Sequence, residues 1–386
     1  MKILFVHNAY QDKGGEDTVL EAEAALLASR GHVVEHFTRH NNDISQMSRV
    51  SLAVQTFWST PAAKDFEAQL RSFKPDVVHV HNTFPLISPA IYWVADRLRV
   101  PVVQTLHNFR LFCPQAMFLR EGKVCEDCLG RLPWRGALRG CYRESRLQST
   151  VLASMVSLHR GLGTWQNKVT RYIALNDFCR NKFIEGGLPA ERIVIKPNFV
   201  DFSPPIPVDR RDFLFVGRLS VEKGIDSLMM AAGMVDGANL QVAGTGPEAD
   251  LLASVPNINA LGALSRDEVR LRMCSAIALV VPSIWYETFG MVAIEAFAAG
   301  LPVIASRIGS LAALVEDGVT GLLFEPGDPV SLADAMRWAL SHPAEMANMG
   351  KAARAHYEAN FTAERNYQQS MAIYEAAVAE VKGLGS

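Results

Sequence analysis

Short apolar, strand-like runs alternate with helix-like runs along the whole chain, and this alternation constrains the fold more than any other feature. The first strand-like run, Lys2–Val6, is followed by a polar glycine loop and a helix-like run, Asp17–Ser29. Repeated strand–helix–strand order places parallel strands in a sheet with helices on both faces. The other runs that we predict as strands are Val33–Phe37, Asp76–Val80, Val102–Leu106, Tyr172–Leu175, Phe213–Val216, Leu240–Ala243, Ile277–Val281 and Val303–Ala305. The sequence therefore predicts an α/β protein with doubly wound, Rossmann-like sheets.

The length of the chain indicates more than one domain. It has 386 residues, whereas a single hydrophobic core stops growing near ~250–300 residues. The stretch Lys196–Pro207 is rich in proline and lacks periodicity, which is typical of a linker. We predict an N-terminal domain over 1–200, a C-terminal domain over 201–362 and a last helix over 363–386. The apolar residues of that helix recur at helical spacing, and we expect it to pack back on the N-terminal domain.

Composition and charge exclude several classes of protein. The net charge is −2, so the chain lacks the basic surface of a nucleic-acid-binding protein. It also lacks an uninterrupted apolar run of the ~18 residues that a transmembrane helix needs. The first residues, MKILFVHN, are strand-like and too short an apolar stretch for a signal peptide. We expect a cytoplasmic protein, at most peripheral on the inner face of a membrane.

In the second half, loops that follow successive predicted strands carry residues suited to a phosphorylated ligand. Ligands of open parallel sheets bind beyond the carboxyl ends of the strands. The loop GRLSVEKG supplies Arg218 and Lys223, which could hold a diphosphate. The loop AGTGPE supplies Gly244 and Gly246, which allow the backbone to approach a ligand closely. For Arg218 and Lys223, the alternative interpretation is an ordinary pair of surface cations. For Gly244 and Gly246, it is a turn without a ligand.

A third loop, ETFGMVAIE, places Glu287 before a predicted helix and Glu295 inside it. Gly290 lies where the helix begins, and the first N–H groups of a helix bind anions because they have no partner within it. Two carboxylates and these N–H groups could hold a sugar hydroxyl, a phosphate and a ribose together. By itself, an acidic pair at this spacing is more often a solvated helix face.

The first half contains weaker candidates. Gly14 and Gly15 precede a predicted helix and could approach the phosphates of the ligand or a second substrate, the acceptor. Glu16 could contact a hydroxyl of that acceptor. The alternative is a surface loop. His79 and His81 alternate on one predicted strand, and we predict packing for His79 and a place near the acceptor for His81.

The cysteine-containing segment at about 110–145 is unusual for this kind of fold. Cys113, Cys125, Cys128 and Cys141 have the spacing C-x11-C-x2-C-x12-C. Disulfides are rare in a reducing compartment, whereas four thiolates including a C-x2-C step suit a structural zinc ion. Bound metal would stabilise a glycine-rich loop that has little core of its own. Four ordinary thiols are the alternative.

Taken together, these motifs resemble those of the family 4 glycosyltransferases of the GT-B type. The matching segments are HNAYQDKGGED, PDVVHVHN, PVVQTLHN, GRLSVEKG, AGTGPE, ETFGMVAIE, AAGLPVIAS and GVTGLLFEPGD. They extend over nearly the whole chain, and the cysteine-containing segment is an insertion in the N-terminal domain. The resemblance implies two Rossmann-like domains facing across a cleft. It also implies transfer of a hexose-type sugar from a UDP- or GDP-sugar with retained anomeric configuration and without a catalytic metal.

The resemblance also implies a role for each site residue. Arg218 and Lys223 would hold the donor diphosphate, Glu287 would bind hydroxyls of the transferred sugar, and Glu295 would bind the ribose. His107 would hydrogen-bond a sugar hydroxyl or developing charge. Backbone groups would contact sugar or phosphate at Thr288, Phe289 and Gly290, and the base at Gly262, Leu264 and Pro282. Many relatives have His-Asp where this chain has His107 followed by Asn108, and asparagine cannot ionise.

The acceptor and the pathway are open at this stage. A basic, apolar segment from Val151 to Tyr172 could lie on an anionic bilayer or pack against the first domain. We therefore expect a saccharide or lipid-linked saccharide acceptor, in cell-surface polysaccharide biosynthesis. A nucleotide-sugar epimerase on the same fold is a second hypothesis. A non-catalytic zinc-binding or nucleic-acid-binding module is a third, which the low net charge disfavours for nucleic acid.

Overall fold

The computed structural model describes residues 1–11, 14–202 and 209–383. Three stretches of the predicted segments lie outside the described residues: positions 12–13 of the first glycine loop, 203–208 of the predicted linker and 384–386 of the predicted last helix.

The chain forms two compact units. The first comprises Met1–Met117, Glu126–Lys196 and Asn366–Ser386, and the second comprises Phe118–Cys125 and Pro197–Arg365. The strands are β1 (Lys2–Ala9), β2 (Val33–His40), β3 (Val77–Asn82), β4 (Val102–Thr105), β5 (Leu119–Arg120), β6 (Lys123–Val124), β7 (Arg171–Ala174), β8 (Ile193–Ile195), β9 (Phe213–Val216), β10 (Leu240–Ala243), β11 (Ile258–Gly262), β12 (Ala278–Val281), β13 (Val303–Ser306) and β14 (Gly321–Phe324). The α-helices are α1 (Gly15–Ser29), α2 (Arg49–Phe57), α3 (Thr60–Phe73), α4 (Ala90–Arg97), α5 (Trp134–Arg139), α6 (Arg146–Gly161), α7 (Thr164–Asn167), α8 (Asp177–Glu185), α9 (Ile225–Gly233), α10 (Arg266–Ser275), α11 (Met291–Ala298), α12 (Gly309–Leu314), α13 (Pro329–Ser341), α14 (Pro343–Asn360) and α15 (Ala363–Gly383).

The first unit is built on a parallel sheet with the strand order β2-β1-β3-β4-β7-β8. Strands β1 and β3 lie in its interior, and β3 is buried along its whole length. Both β1 and β2 run beyond the apolar residues that predicted them, because their backbone ladder continues to the pair Ala9 and His40. Backbone hydrogen bonding extends a strand whatever the polarity of its last side chains. The polar carboxyl ends of the neighbouring strands β1 and β2 therefore lie side by side.

The second unit repeats this architecture with the strand order β11-β10-β9-β12-β13-β14, again parallel. It also contains the short antiparallel pair β5 and β6. Both large sheets have the reversal of strand order that defines a doubly wound fold. The predicted α/β class with two Rossmann-like sheets is therefore confirmed.

Several strands were absent from the sequence prediction, and most of them lie at sheet edges. Strands β8, β11 and β14 each pair with a single neighbour. In β11 no residue is fully buried, and β8 has only three residues, of which one is buried. The apolar runs of β8 and β14 are too short to distinguish a strand from a loop, and β11 is partly exposed and lacks a clear alternation of apolar and polar residues. Backbone pairing, rather than side-chain pattern, defines these edges.

The last helix, α15, packs its apolar residues with the sheet of the first unit. Tyr374 and Ala377 are fully buried in a cluster that includes Ile3, Phe5 and Leu20. The spacing of three between the two helix residues places them on one face. Among the described residues, no helix is both long and apolar enough to cross a membrane.

Candidate active site

In the second unit, the loops after β9 and β12 touch through their backbones. Lys223 ends a short turn after β9, and the next residue, Gly224, has a φ of 72°. A Cβ atom on Gly224 would lie 2.0 Å from the carbonyl oxygen of Pro282, so only glycine fits. Beside it, the N–H of Ile284 donates to the oxygen of Glu222 at 3.0 Å. These contacts place Lys223 against the loop that carries the predicted carboxylate.

Glu287 is buried and pairs with Lys223. The Lys223 Nζ lies 2.7 Å from Glu287 Oε1, and the hydroxyl of Ser283 donates to the same oxygen at 2.5 Å. The hydroxyl of Ser310 donates to the backbone oxygen of Glu287. Only 7% of Glu287 is exposed, and its carboxylate is bound by one cation and one hydroxyl group.

The charge of Glu287 depends on this pairing. Burial by itself would raise the pKa of the carboxyl, but the Lys223 ammonium and the Ser283 hydroxyl outweigh it and lower that pKa. The group is therefore ionised at neutral pH. An ion pair between a buried carboxylate and a half-buried ammonium, at the carboxyl ends of parallel strands, is a strongly polar feature in a place where such sheets bind ligands.

The remaining cation and glycines of these loops lie close by in the fold. Arg218 is exposed on the loop after β9. The ion pair described above joins Lys223 to Glu287 and does not include Arg218. A Cβ atom on Gly244 would lie 1.9 Å from the oxygen of Gly217, and one on Gly246 would lie 2.2 Å from that of Leu219. Close packing of two loops thus requires both glycines, in addition to any role that they have towards a ligand.

The predicted helix start and second carboxylate are also present. Gly290 precedes α11 with a φ of 86°, and Phe289 is buried against Phe361. Glu295 is half-buried in α11. Burial raises the pKa of its carboxyl, and the positive charges of Arg266 and Arg270 act in the opposite direction.

The positions predicted to contact the base and the sugar are distributed over two loops, after β11 and after β12. The backbone oxygen of Gly262 accepts from the N–H of Gly244 at 2.8 Å. Pro282 is buried, whereas Leu264 and Thr288 are half-buried. Their roles towards base, sugar or phosphate stay predictions.

In the first unit, His107 belongs to a buried network of histidines. It follows β4, and its Nε2 lies 2.8 Å from Nδ1 of His81 in β3. The His81 Nε2 lies 3.7 Å from Oε2 of Glu23 in α1. The Oε1 of Glu23 forms an ion pair with Lys196. The network thus runs from a buried ammonium to the predicted catalytic histidine.

His79 forms a side branch of this network. Its Nδ1 lies 2.7 Å from the hydroxyl of Tyr374 in α15 and 3.9 Å from Oε2 of Glu23. Its Nε2 lies 2.8 Å from Oγ1 of Thr105. His79 is fully buried, so its contacts are with the protein interior.

The histidines of the network are neutral. Burial, the largest cause, lowers the pKa of His79 to about 4 and that of His107 to about 3, and it holds that of His81 well below its usual range. Burial alone would raise the pKa of Glu23, but the charge and hydrogen bond of Lys196 act in the opposite direction, and that pKa is lowered. The network therefore contains one ion pair and neutral imidazoles.

The glycine loop after β1 holds a second polar cluster. The N–H of Gly14 donates to Asp17 Oδ2 at 2.8 Å, and His7 Nε2 lies 2.8 Å from Asp17 Oδ1. The hydroxyl of Tyr10 donates to Glu16 Oε2 at 3.1 Å. Burial raises the pKa of Glu16 to about 8, so this carboxyl is protonated near neutral pH and can donate as well as accept. Gly15 begins α1, and a Cβ atom there would meet open space.

Glu23 and Lys196 were missed by the sequence analysis. Glu23 lies on the same helix face as the buried Leu20, Ala24 and Leu27. An acidic residue inside an apolar helical stripe is a detectable signal, because buried charges need partners. Lys196 gives no such signal, because it lies at the edge of the proline-rich stretch that we interpreted as a linker.

The predicted zinc ligands fall in both units. Cys113, Cys128 and Cys141 belong to the first unit, and Cys125 ends the segment Phe118–Cys125 of the second. Cys113 and Cys128 are buried, and a Cβ atom on Gly136 would lie 3.6 Å from the Cys128 sulfur. The structural zinc site stays a prediction.

Two models of known protein families match the chain. Residues 14–198 match the glycosyl transferase 4-like domain, and residues 198–356 match the glycosyl transferases group 1 family. The chain is a family 4-like glycosyltransferase. The resemblance inferred from the sequence motifs is therefore confirmed.

Curated relatives agree with this assignment. The glycosyltransferase is 30% identical to a glycogen synthase of Mycobacterium tuberculosis over 318 residues, which cover 80% of this chain and 70% of that protein. It is 28% identical to a D-inositol 3-phosphate glycosyltransferase of Mycolicibacterium paratuberculosis over 405 residues, which cover 96% of this chain and 87% of that protein. These relatives act on different substrates, so the family alone does not define donor or acceptor.

Solved structures show the same fold. A sucrose-phosphate synthase from Thermosynechococcus elongatus superposes with a TM-score of 0.73 at 22% identity, covering 98% of this chain and 99% of that one. Anabaena HepE in complex with UDP gives a TM-score of 0.69 at 18% identity, covering 97% of this chain and 100% of that one. The glycosyltransferase therefore has the GT-B architecture.

Proposed function

We propose that this glycosyltransferase transfers a hexose from a nucleoside diphosphate sugar to a saccharide hydroxyl, with retention of the anomeric configuration. The pair of half-buried Lys223 and buried Glu287, with 2.7 Å between Nζ and Oε1, is the observation that carries this proposal. The pair lies where strands β9 and β12 of a Rossmann-like sheet end, which is where such sheets bind ligands. HepE, which shares the fold, was solved with UDP and with UDP-glucose, and UDP-sugars are therefore the first donors to test.

Lys223 and Glu287 have separate roles in this proposal. The Lys223 ammonium stabilises the negative charge that grows on the diphosphate as the bond to the sugar breaks. Arg218, exposed on the same loop, adds a bidentate contact to the phosphates. Lys223 and Ser283 both bind Glu287 Oε1, and Oε2 accepts a hydroxyl hydrogen of the transferred sugar. Glu295 binds the ribose hydroxyls.

The transfer step follows front-face substitution. The bond between the anomeric carbon and the phosphate oxygen breaks, and the acceptor oxygen forms its bond to that carbon on the same face. The acceptor proton passes to the leaving phosphate oxygen, so the charges balance. No protein carboxylate is needed as a nucleophile. His107 hydrogen-bonds a sugar hydroxyl and helps to orient it.

Nucleotide binding provides the direct test of the donor. We expect UDP or GDP, with the matching sugar, to raise the melting temperature, since a ligand at a hundredfold excess over its Kd adds about 2.7 kcal/mol. Incubation with the donor and candidate saccharides should then give a product with retained configuration. A donor altered without any acceptor would support an epimerase instead. Absence of stabilisation by every nucleoside diphosphate would contradict the proposal.

We further propose that the first unit binds an anionic membrane surface and that the acceptor is lipid-linked, as in the synthesis of a cell-surface polysaccharide. Helices α5 and α6 and the loop before them expose large apolar side chains beside arginines. Exposed fractions are 56% for Leu132, 55% for Trp134, 63% for Leu138 and 67% for Leu147. The neighbouring arginines are Arg131, Arg135, Arg139, Arg143 and Arg146. Exposed apolar and basic groups together favour the interface of an anionic bilayer.

Co-sedimentation with vesicles that contain an anionic lipid tests this surface. We expect a Trp134→Ser/Leu138→Ser variant to bind such vesicles at least about tenfold more weakly, because two large apolar groups no longer insert. Leu271→Ser provides a matched control, because Leu271 is 66% exposed on the second unit. Equal binding of both variants, or no binding of the parent protein at low salt, would contradict the membrane proposal.

A further inference from the structure

The contacts around His81 determine where the protons of two histidines lie. A neutral imidazole carries one proton, so one ring nitrogen donates and the other accepts. The His81 Nε2 is buried, and no described residue lies within hydrogen-bonding distance of it. The atom that it faces is Oε2 of Glu23, at 3.7 Å. Glu23 Oε2 is also buried without a hydrogen-bond partner in the described part of the chain.

The carboxylate of Glu23 favours one tautomer of His81. A proton on His81 Nε2 points the positive end of the N–H bond at the carboxylate. The other tautomer would turn a nitrogen lone pair towards the same negative charge. In a buried site this difference is large, because the low dielectric strengthens both the attraction and the repulsion. His81 therefore carries its proton on Nε2 and presents a lone pair at Nδ1.

The lone pair of His81 then determines the tautomer of His107. Its Nδ1 lies 2.8 Å from His107 Nε2, so His107 must donate through Nε2. The ring planes differ by only 24°, with centroids 4.9 Å apart. That geometry is expected when nitrogens of nearly coplanar rings face each other edge to edge. Since His107 is neutral, its Nδ1 keeps a lone pair.

We propose that Glu23 is a positioning residue that acts through His81 to hold His107 in the tautomer with a proton on Nε2 and a lone pair on Nδ1. That lone pair accepts a hydrogen bond from a sugar hydroxyl. The role towards the hydroxyl rests on the proposed function, whereas the proton positions do not. Lys196 supports this arrangement, because its ammonium keeps Glu23 ionised within the interior.

A metal ion is the competing occupant of this cluster. Ligand atoms of Glu23, His79 and His81 lie within 4.8 Å of one another. However, Lys196 already balances the charge of Glu23, and the Tyr374 hydroxyl occupies His79 Nδ1. A dication beside a buried ammonium would leave buried charge without compensation. The contacts therefore favour a chain of interactions from Glu23 through His81 to His107, here called the relay, over a metal site.

Imidazole ¹⁵N spectra of histidine-labelled full-length protein at neutral pH test the proton positions directly. Protonated and lone-pair nitrogens of neutral imidazole have well-separated shifts. We expect both His81 and His107 to carry their proton on Nε2. A proton on His107 Nδ1 would overturn the proposal. So would a His81 Nε2 without a proton, which is also the state that a metal ligand requires. These spectra decide the question even if no variant folds.

Glu23→Gln extends the test by inverting the relay. Its amide oxygen would accept from Lys196, which turns the NH₂ group towards His81 Nε2. His81 would then accept at Nε2 and donate through Nδ1, so the proton of His107 would move to Nδ1. Glu21→Gln is the matched control, because Glu21 is exposed on the same helix. Unchanged tautomers in a folded Glu23→Gln variant would overturn the proposal.

Transfer assays separate the role of the lone pair from the tautomers themselves. A Glu23→Gln variant with inverted tautomers should have a kcat/KM for transfer about 10–100-fold lower, as for the loss of one good hydrogen bond. Donor binding should be unchanged. Full transfer activity with inverted tautomers would overturn the role assigned to His107 Nδ1. If the parent protein transfers no sugar but shows both protons on Nε2, the proposed function fails and the relay stands.

Discussion

Replacement of Lys223 by methionine is expected to lower kcat for sugar transfer about 10²–10³-fold, the usual effect of removing one preorganised group that stabilises developing charge. Methionine keeps the length of the side chain but cannot neutralise the leaving diphosphate. Donor affinity should fall much less than kcat, because the charge on the diphosphate grows as the bond breaks. Steady-state kinetics with the donor found by thermal shift will measure both.

Lys351→Met is the matched control for this experiment, because Lys351 is exposed on α14 of the same unit. Both variants need a circular dichroism spectrum and a melting curve, since Lys223→Met also leaves Glu287 buried without its cation. A folded Lys223→Met protein that transfers sugar at the parental rate would remove Lys223 from the mechanism. A loss confined to donor affinity would show that Lys223 binds ground state and transition state equally.

Replacement of Lys196 by methionine is expected to lower the free energy of unfolding by about 3–5 kcal/mol, because it leaves a buried carboxylate without its partner. Lys196 and Glu23 are only 0% and 2% exposed in their side chains, so water cannot take over the charge. Equilibrium unfolding in urea measures the change. A Lys196→Met/Glu23→Leu double variant should recover much of the loss, since apolar groups can replace both partners of a buried pair.

The loss should depend on pH in a defined direction. In the parent protein the pKa of Glu23 is lowered, so its contribution to stability is present above the unfolded pKa and is lost as pH falls through the folded value. Without Lys196, burial dominates and raises that pKa. Stability then falls as pH rises from the unfolded pKa, and the variant is more impaired at pH 8 than at pH 5.

A partly exposed ion pair provides the comparison for this experiment. Lys168 pairs with Asp96 at 2.5 Å, with side chains 21% and 43% exposed. Lys168→Met should cost only about 1 kcal/mol, because solvent screens such pairs. Equal losses for the two methionine variants would contradict a special role of the buried pair.

Much of the fold could be predicted from the sequence because buried parallel strands leave an apolar signature. Phe213–Val216 and Leu240–Ala243 were predicted with the bounds that the structure has. The edge strands β8, β11 and β14 were not, since the apolar runs of β8 and β14 are too short to indicate a strand and β11 is partly exposed. The polar ends of β1 and β2 were also missed, because they are held by backbone pairing that no side-chain pattern encodes.

The candidate site likewise has features that the sequence could predict and features that it could not. The glycines and charged residues of the loops after β9 and β12 could be selected because parallel sheets bind ligands at the carboxyl ends of their strands. The pairing of Lys223 with Glu287 over 64 positions could not, since it depends on how two loops meet. Glu23 carried a detectable signal, as an acidic residue inside an apolar helical stripe, but its partner Lys196 lies 173 positions away, and only the folded chain brings the two together.

The contact between Gly224 and Pro282 has a consequence for engineering donor preference. Main-chain contacts hold the loop of Lys223 against the loop of Glu287, so exchanging solvent-exposed side chains elsewhere at this site leaves those contacts unaltered. Nucleotide and sugar selectivity could therefore be redesigned at the rim while the leaving-group chemistry is retained. A methyl group at position 224 would do the opposite, misaligning the charges in every redesigned version at once.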